Sequence, residues 1–222
     1  MAEAVPNAAV TAADQVATAP KDTNGPSEDS VVALGFLAAA LALMIVATLI
    51  AQGLAAQGLE TEIRPTVTSP PGSRRRATLH GRRTKKGVLV GFNARASDVI
   101  VEVPDCQVLH PQILAALPAL EALTRLAATR TAGVDLAVTA SEAGPDVRVT
   151  GGRAADGPLL VDLAALAGQY GLARLTYGDE PVAMREPPAQ AFGPARVTPP
   201  PGAFLQATSH GEAALLAAIE EA

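Results

Sequence analysis

The sequence predicts an α+β fold, in which antiparallel strands and helices form a central domain that follows one long apolar helix. Short apolar or alternating runs, separated by Gly, Pro and Asp, indicate strands in the second half of the chain. Longer stretches there have apolar residues at helical spacing, and an uncharged stretch lies nearer the start. The chain has 222 residues, 49% of them hydrophobic, and can form one large or two small domains.

Residues 1–30 are rich in Ala, Thr, Pro, Asp and Asn and lack apolar periodicity. A segment of this composition cannot bury enough surface to offset the entropy of ordering, so we expect it to be disordered. The first charged residue is Glu3 and the first base is Lys21. The segment therefore lacks the basic start of a secretory signal or a transit peptide.

The stretch from Val31 to Ala51 carries no charge and predicts a transmembrane-like helix. Its 21 residues suffice to cross a hydrocarbon core, which about 20 helical residues span. The alternative is a helix buried in a soluble, cytoplasmic protein, but such a helix normally shows a polar stripe. Acidic residues precede the stretch and basic residues follow it, so the positive-inside rule predicts an inner-membrane protein with a cytoplasmic C-terminal part.

A basic stretch follows a predicted linker at residues 52–72 and indicates a local site for anions. Seven of the 17 Lys and Arg residues fall within it, although the net charge of the chain is −5. Arg76–Gly81 and Val88–Phe92 predict two strands, and Arg82–Gly87 predicts the hairpin loop between them. Cations held by strand backbone suit RNA phosphates, whereas the alternative is a solvated, charge-rich turn. The candidate RNA-binding residues are Arg74, Arg75, Arg76, Arg82, Arg83, Lys85 and Lys86.

The residues beyond the hairpin predict further strands and helices. Apolar or alternating runs predict strands at Asp98–Val103, Val134–Ala140, Asp146–Thr150, Ala173–Tyr177, Pro181–Arg185 and Arg196–Thr198. Helical spacing and capping signals predict helices at His110–Ala128, Leu159–Gly171 and Ser209–Ala222. Pro118 must kink or divide the first of these helices. Ser209 and Glu212 have capping-box spacing, which predicts Ser209 as the N-cap of the last.

Four segments carry a family resemblance in their order and spacing: SPPGSRRRA, RRTKKGVLVGF, RASDVIVEVPDCQVLHP and PPGAFLQAT. The region from about residue 51 to residue 222 thereby resembles the bacterial RNA (uracil-5-)-methyltransferases, which act on ribosomal and transfer RNA. The resemblance implies an RNA-contacting central domain at residues 73–192. It also implies that residues 193–222 begin a truncated Rossmann-like methyltransferase domain. The last helix of this chain would be the first helix of that domain. Such enzymes use S-adenosylmethionine and, in many members, a 4Fe-4S cluster.

The resemblance also implies roles for individual residues. Cys106 matches the last of the four cysteines that ligate the iron–sulfur cluster in members that have one. Because it is the single cysteine of this chain, we expect no cluster, and a free thiol of this kind usually packs as a small hydrophobe. Phe204 and Gln206 match the family's Phe-x-Gln-x-Asn motif, whose Gln contacts the target uracil. Thr208 stands where the motif has Asn.

The function that the resemblance implies is that of the RNA-binding portion of a uracil-5 RNA methyltransferase. We expect this chain alone to be inactive, with no catalytic residue and no cofactor of its own, because the family's cysteine nucleophile and methyl-donor site belong to the catalytic domain. In addition, no G-x-G-x-x-G motif follows a strand. The expected partners are RNA and, through residues 31–51, a membrane. The alternative is a membrane-anchored interaction or assembly protein in which the RNA-type domain is a remnant.

Overall fold

The computed structural model describes residues 28–221, with side chains described from Leu41 onward. The chain divides into two compact units, one that ends at Thr66 and one that comprises Val67–Ala222. Most of the segment predicted to be disordered lies outside the described residues. Its last three residues, from Glu28, are helical.

The described part of the first unit consists of helix α1, Glu28–Ala56, and an irregular segment after it. Gly58 ends the helix in a left-handed conformation with a φ angle of 72°. Its backbone N–H donates to the carbonyl of Ala55, and the N–H of Leu59 donates to the carbonyl of Leu54, both at 3.0 Å. This pair of bonds is a Schellman motif, which satisfies carbonyls that the helix leaves without partners.

The prediction of a transmembrane helix at residues 31–51 is wrong. Among the residues that the structure describes, no helix combines the length and the apolar character needed to cross a membrane. The membrane partner and the inner-membrane location, which depended on this helix, are withdrawn with it.

The second unit contains a seven-stranded sheet with the strand order β3-β2-β1-β4-β5-β6-β7. Neighbouring strands are antiparallel except for β5 and β6, which are parallel. The prediction of an antiparallel sheet is therefore corrected to a mixed one. A separate hairpin pairs β8 with β9. The strands are β1 Arg76–Arg83, β2 Val88–Asn93, β3 Ile100–Val101, β4 Val134–Thr139, β5 Asp146–Gly151, β6 Arg174–Tyr177, β7 Glu180–Met184, β8 Gln190–Phe192 and β9 Ala195–Val197.

Two helices of this unit pack on the sheet. The chain folds into α2 Pro111–Ala115, α3 Leu117–Ala127, α4 Gly157–Gln169 and α5 Ser209–Glu220. The break at Ala116 agrees with the division expected at Pro118, because a proline ring clashes with the preceding helical turn. Helix α3 packs against β1, β2 and α4, while α4 packs against β6 and β7. Since α4 carries the chain across from β5 to β6, these two strands can run parallel.

The core lies between the sheet and these two helices. Leu79 of β1 and Leu136 of β4 are paired in register and have no exposed surface. Leu120 and Leu123 of α3 and Leu163 of α4 are also fully buried in the same cluster. Each fully buried leucine contributes about 2 kcal/mol of hydrophobic free energy. Burial on alternate residues of β1 thus fixes one face of the basic strand to the core.

Two glycines allow close packing around the β1–β2 hairpin. A Cβ atom on Gly81 would lie 2.3 Å from Thr124 Oγ1 of α3, and one on Gly91 would lie 1.9 Å from the carbonyl oxygen of Val101. Neither distance is compatible with a side chain. The hairpin is therefore held tightly beneath α3 on one side and against β3 on the other.

Candidate nucleic-acid interface

The end of β1 and the turn to β2 carry four exposed cations: Arg82, Arg83, Lys85 and Lys86. We call these residues the hairpin tip. The hydroxyl oxygen of Thr84 shapes the turn, because it accepts hydrogen bonds from the backbone N–H groups of Lys86, at 3.2 Å, and Gly87, at 3.1 Å. Within residues 41–221, none of the four cations forms a salt bridge. Their charge is available to an external anion.

Arg75 at the start of the same basic stretch has a different environment. Only 8% of the residue is exposed. Its Nε donates to the carbonyl of Gln206 at 3.1 Å, its Nη2 is paired with the carboxylate of Glu212, and its backbone N–H donates to the carbonyl of Ala207 at 2.8 Å. All three partners lie in or just before α5. Arg75 therefore joins the N-terminal end of β1 to the segment around Gln206.

Arg76 acts on the same segment from the next position. Its Nη1 donates to the carbonyl of Leu205 at 3.2 Å, and its guanidinium carbon lies 5.2 Å from the centroid of the Phe204 ring. The distance is within the range of a cation–π contact. Arg74 is exposed, and its Nε donates to the carbonyl of Arg76 at 3.1 Å. Of the three arginines that begin the basic stretch, Arg75 and Arg76 contact the segment that carries Phe204 and Gln206.

The segment ahead of Phe204 is fixed by a third arginine, which was not among the predicted site residues. Arg174 forms a bidentate pair with Asp146, with N–O distances of 2.8 and 2.7 Å, and its Nη2 also donates to the carbonyl of Pro199 at 2.8 Å. The two side chains are only 7% and 10% exposed. Leu205, which directly follows Phe204, is 4% exposed and anchors the chain at that point by its burial.

The N-cap of α5 is Thr208 and not the predicted Ser209. The Thr208 Oγ1 accepts from the backbone N–H of Gly211 at 2.9 Å and lies 2.7 Å from the hydroxyl of Ser69. Glu212 is paired with Arg75. The threonine at the motif's Asn position thus holds the start of the helix.

An open apolar groove adjoins Phe204 and Gln206. Its volume is about 530 Å³. Phe204 is 77% exposed, and the side-chain amide of Gln206 makes no hydrogen bond with any residue that the structure describes. A free amide can both donate and accept, as recognition of a base edge requires. The groove is lined by Phe192, Gly193, Pro194, Phe204, Leu205, Gln206, Glu212 and Leu216.

Cys106 is partly buried and packs against the hydrophobic core. In the described part of the chain, no three His, Cys, Asp or Glu residues are grouped as metal ligands. An iron–sulfur cluster of the kind found in the family requires about four thiolates, and this sequence has one. The residues present therefore do not fit the cluster.

The Gly151–Gly152 turn after β5 is a structural turn and not a binding loop for a methyl donor. A Cβ on Gly152 would lie 2.5 Å from the carbonyl of Ala127, so the turn packs directly on α3. The Tyr177 hydroxyl lies within hydrogen-bond distance of two carbonyl oxygens, that of Gly151 at 3.1 Å and that of Arg153 at 2.5 Å, and donates its one proton to either. Burial raises the pKa of Tyr177, which keeps this donor protonated. These residues do not fit S-adenosylmethionine.

The proteins to which this chain is similar in sequence are RNA methyltransferases. No family model matches the chain. Three similar proteins are uncharacterized RNA methyltransferases from Caulobacter vibrioides, Brucella suis and Mesorhizobium japonicum, which are 39%, 34% and 36% identical to it over 73%, 77% and 72% of its length. The resemblance to RNA methyltransferases is confirmed over this part. The chain spans 41%, 41% and 39% of the length of these relatives.

A solved structure shares the fold. The tRNA (uracil-54, C5)-methyltransferase of Pyrococcus abyssi, in complex with S-adenosyl-L-homocysteine, superposes with a TM-score of 0.54. The match covers 76% of this chain and 44% of that chain, at 16% sequence identity. The mixed sheet and its helices are thus similar in architecture to part of a uracil-5 methyltransferase.

Proposed function

We propose that this chain is the RNA-contacting portion of a uracil-5-type RNA methyltransferase that acts on transfer or ribosomal RNA. Its relatives are named RNA methyltransferases, and the protein with the similar fold methylates carbon 5 of a uracil. In this proposal, residues 73–192 form the RNA-contacting domain and residues 193–222 begin the methyltransferase domain.

The exposed and unpaired hairpin tip is the observation that carries the proposal. In a chain of net charge −5, four cations are exposed at the hairpin tip, and none of them forms an ion pair with an acid of the described residues. Such cations bind phosphates and position an RNA without reading its sequence. Phe204 and Gln206 would then meet the base, the ring by stacking and the amide by hydrogen bonding.

The methyl donor enters the proposal only as the co-substrate of the whole enzyme. S-adenosylmethionine supplies the methyl group when it is bound. Because the sequence has no G-x-G-x-x-G motif after a strand and the Gly151–Gly152 turn packs on α3, we expect the chain alone to transfer no methyl group to RNA. An assay with a radiolabelled donor and transfer RNA tests this expectation, and measurable turnover would contradict it.

The salt dependence of RNA affinity tests the proposed contact. Each phosphate contact on a single strand contributes about 0.7 to the slope of log K against log salt, so four contacts give a slope of roughly −3. The double variant Arg82→Gln/Lys85→Gln should reduce the magnitude of this slope by about 1.4. The measurement is a titration of the full chain with a single-stranded transfer-RNA fragment at several salt concentrations.

A matched control removes two positive charges elsewhere. Arg125 and Arg130 are exposed and lie outside the hairpin. The double variant Arg125→Gln/Arg130→Gln has the same net charge as the tip variant and should keep the wild-type slope. Equal losses in the two variants would mean that affinity follows net charge and not the hairpin tip. Absence of RNA binding by the wild-type chain would reject the proposed function.

A further inference from the structure

Two arginines at the start of β1 hold the backbone of the segment that carries Phe204 and Gln206. We infer that Arg75 and Arg76 are positioning residues, which fix the segment Phe204–Gln206 for an RNA base and do not themselves bind RNA phosphates. The identity of the ligand as an RNA base rests on the proposed function. The contacts that fix the segment are independent of it.

Arg75 is unsuited to a phosphate because its guanidinium already has internal acceptors. It contacts the Gln206 carbonyl and the Glu212 carboxylate, and only 10% of its side chain is exposed. A phosphate would have to displace these acceptors, which would leave a half-buried carboxylate without its partner. The planar guanidinium can satisfy a carbonyl and a carboxylate together, which a lysine ammonium cannot do with the same geometry.

Arg76 controls the aromatic ring itself. Its guanidinium lies over the Phe204 ring while its Nη1 is bonded to the next carbonyl, that of Leu205. One side chain thus restrains both the ring and the backbone that carries it. With 77% of Phe204 exposed, ring surface remains available for stacking by a base.

The two ends of the segment are restrained as well. Upstream, Arg174 holds the Pro199 carbonyl, and downstream, Thr208 caps α5 and lies within hydrogen-bond distance of Ser69. The Gln206 amide remains without a hydrogen bond to the described residues. A segment that is ordered before binding loses less conformational entropy when a ligand binds, so these restraints favour base binding.

A single introduced indole can report on this order, because the chain contains no tryptophan. The substitution Phe204→Trp keeps an aromatic ring beneath Arg76, and Trp is the best cation–π partner. In this background, Arg76→Gln should lower the fluorescence anisotropy of the indole and raise its quenching by acrylamide in the absence of RNA. It should also weaken binding of oligouridine by roughly three- to tenfold. The slope of log K against log salt should stay unchanged, because no phosphate contact is lost.

Two further variants separate positioning from loss of charge or loss of folding. Arg83→Gln removes the same charge from the same strand and should leave the indole anisotropy unchanged while it reduces the salt slope by about 0.7. Arg76→Lys keeps the cation and should restore part of the anisotropy. Circular dichroism and the unfolding midpoint verify that each variant is folded. If Arg75→Gln does not fold, the variants Arg76→Gln and Arg76→Lys still test the positioning role.

The possible failures are distinguishable. If Arg76→Gln leaves the anisotropy and acrylamide quenching of the indole unchanged, the positioning role is rejected, whatever the RNA result. If Arg76→Gln reduces the salt slope by about 0.7, Arg76 is a phosphate contact and the inference is also rejected. If the wild-type chain binds no RNA but the indole responds to Arg76→Gln, positioning stands and the proposed function fails.

Discussion

The two ends of the basic stretch differ in what surrounds their charges. At the start of β1, Arg75 and Arg76 donate to carbonyl groups of Gln206 and Leu205. At the hairpin tip, two arginines and two lysines face solvent without an ion-pair partner among residues 41–221. A cluster of like charges therefore need not serve a single function. Partners and burial divide the stretch into cations that hold the protein together and cations that an external anion can reach.

The largest stability effect should come from the buried pair that anchors Pro199. Asp146→Ala leaves the Arg174 guanidinium, which is 7% exposed, without its carboxylate. We expect a loss of about 3–5 kcal/mol in the free energy of unfolding, measured with urea. The double variant Asp146→Ala/Arg174→Met removes both charges and should cost less than the single variant. A single-variant loss below about 1 kcal/mol would show that this pair does not belong with the stabilising arginines.

Arg75→Met should have the next largest effect. It removes a guanidinium from two side-chain contacts and leaves Glu212, whose side chain is 28% exposed, unpaired. We expect a loss of about 2–3 kcal/mol, less than for the fully buried pair, because water can reach the remaining carboxylate. Arg83→Met at the hairpin tip is the matched control and should change stability by no more than about 0.5 kcal/mol. Equal losses in the two variants would erase the difference between the ends of the stretch.

The smallest effect on stability should come from the exposed ion pair between Arg153 and Asp156. The Asp156 carboxylate caps α4 by accepting from the Leu159 N–H at 2.8 Å and from Arg153 at 2.8 Å, and these bonds hold the pKa of Asp156 below its usual value of 3.8. A lowered folded-state pKa means that the unfolded chain binds the proton first as the pH falls. The stabilisation is therefore present above pH 3.8 and is lost as the pH falls through the folded-state pKa.

Asp156→Asn isolates this pH dependence. Its unfolding midpoint in urea should lie slightly below that of the wild type near pH 6, and the difference should shrink near pH 3. A difference that is the same at both values would indicate that capping, and not the charge of Asp156, accounts for the loss. Together with the variants of Asp146 and Arg75, this variant orders the three arginine environments from the buried Arg174 to the exposed Arg153.

Elements whose pattern lies within a short stretch were predictable from the sequence. The strand pair of the basic hairpin was expected at Arg76–Gly81 and Val88–Phe92 and is observed at Arg76–Arg83 and Val88–Asn93. The helix interruption near Pro118 was predictable for the same reason, since a proline acts on its own turn. Strand β3 is shorter than expected, because only Ile100 and Val101 pair with β2. Strand β8 has no alternating pattern long enough to indicate it.

The sequence by itself determined where cations, turns and apolar faces lie, whereas the tertiary structure decided what each of them does. Arg75 and its acceptor on Gln206 are 131 positions apart, and Arg76 and the Leu205 carbonyl are 129 apart. No local pattern specifies such a pair, because hydropathy and charge describe what a side chain prefers and not which group approaches it. The parallel pairing of β5 and β6 has the same origin, as it depends on how α4 packs across the sheet. Only the folded chain brings these groups within hydrogen-bonding distance, and that distance separates a structural arginine from one available to an external anion.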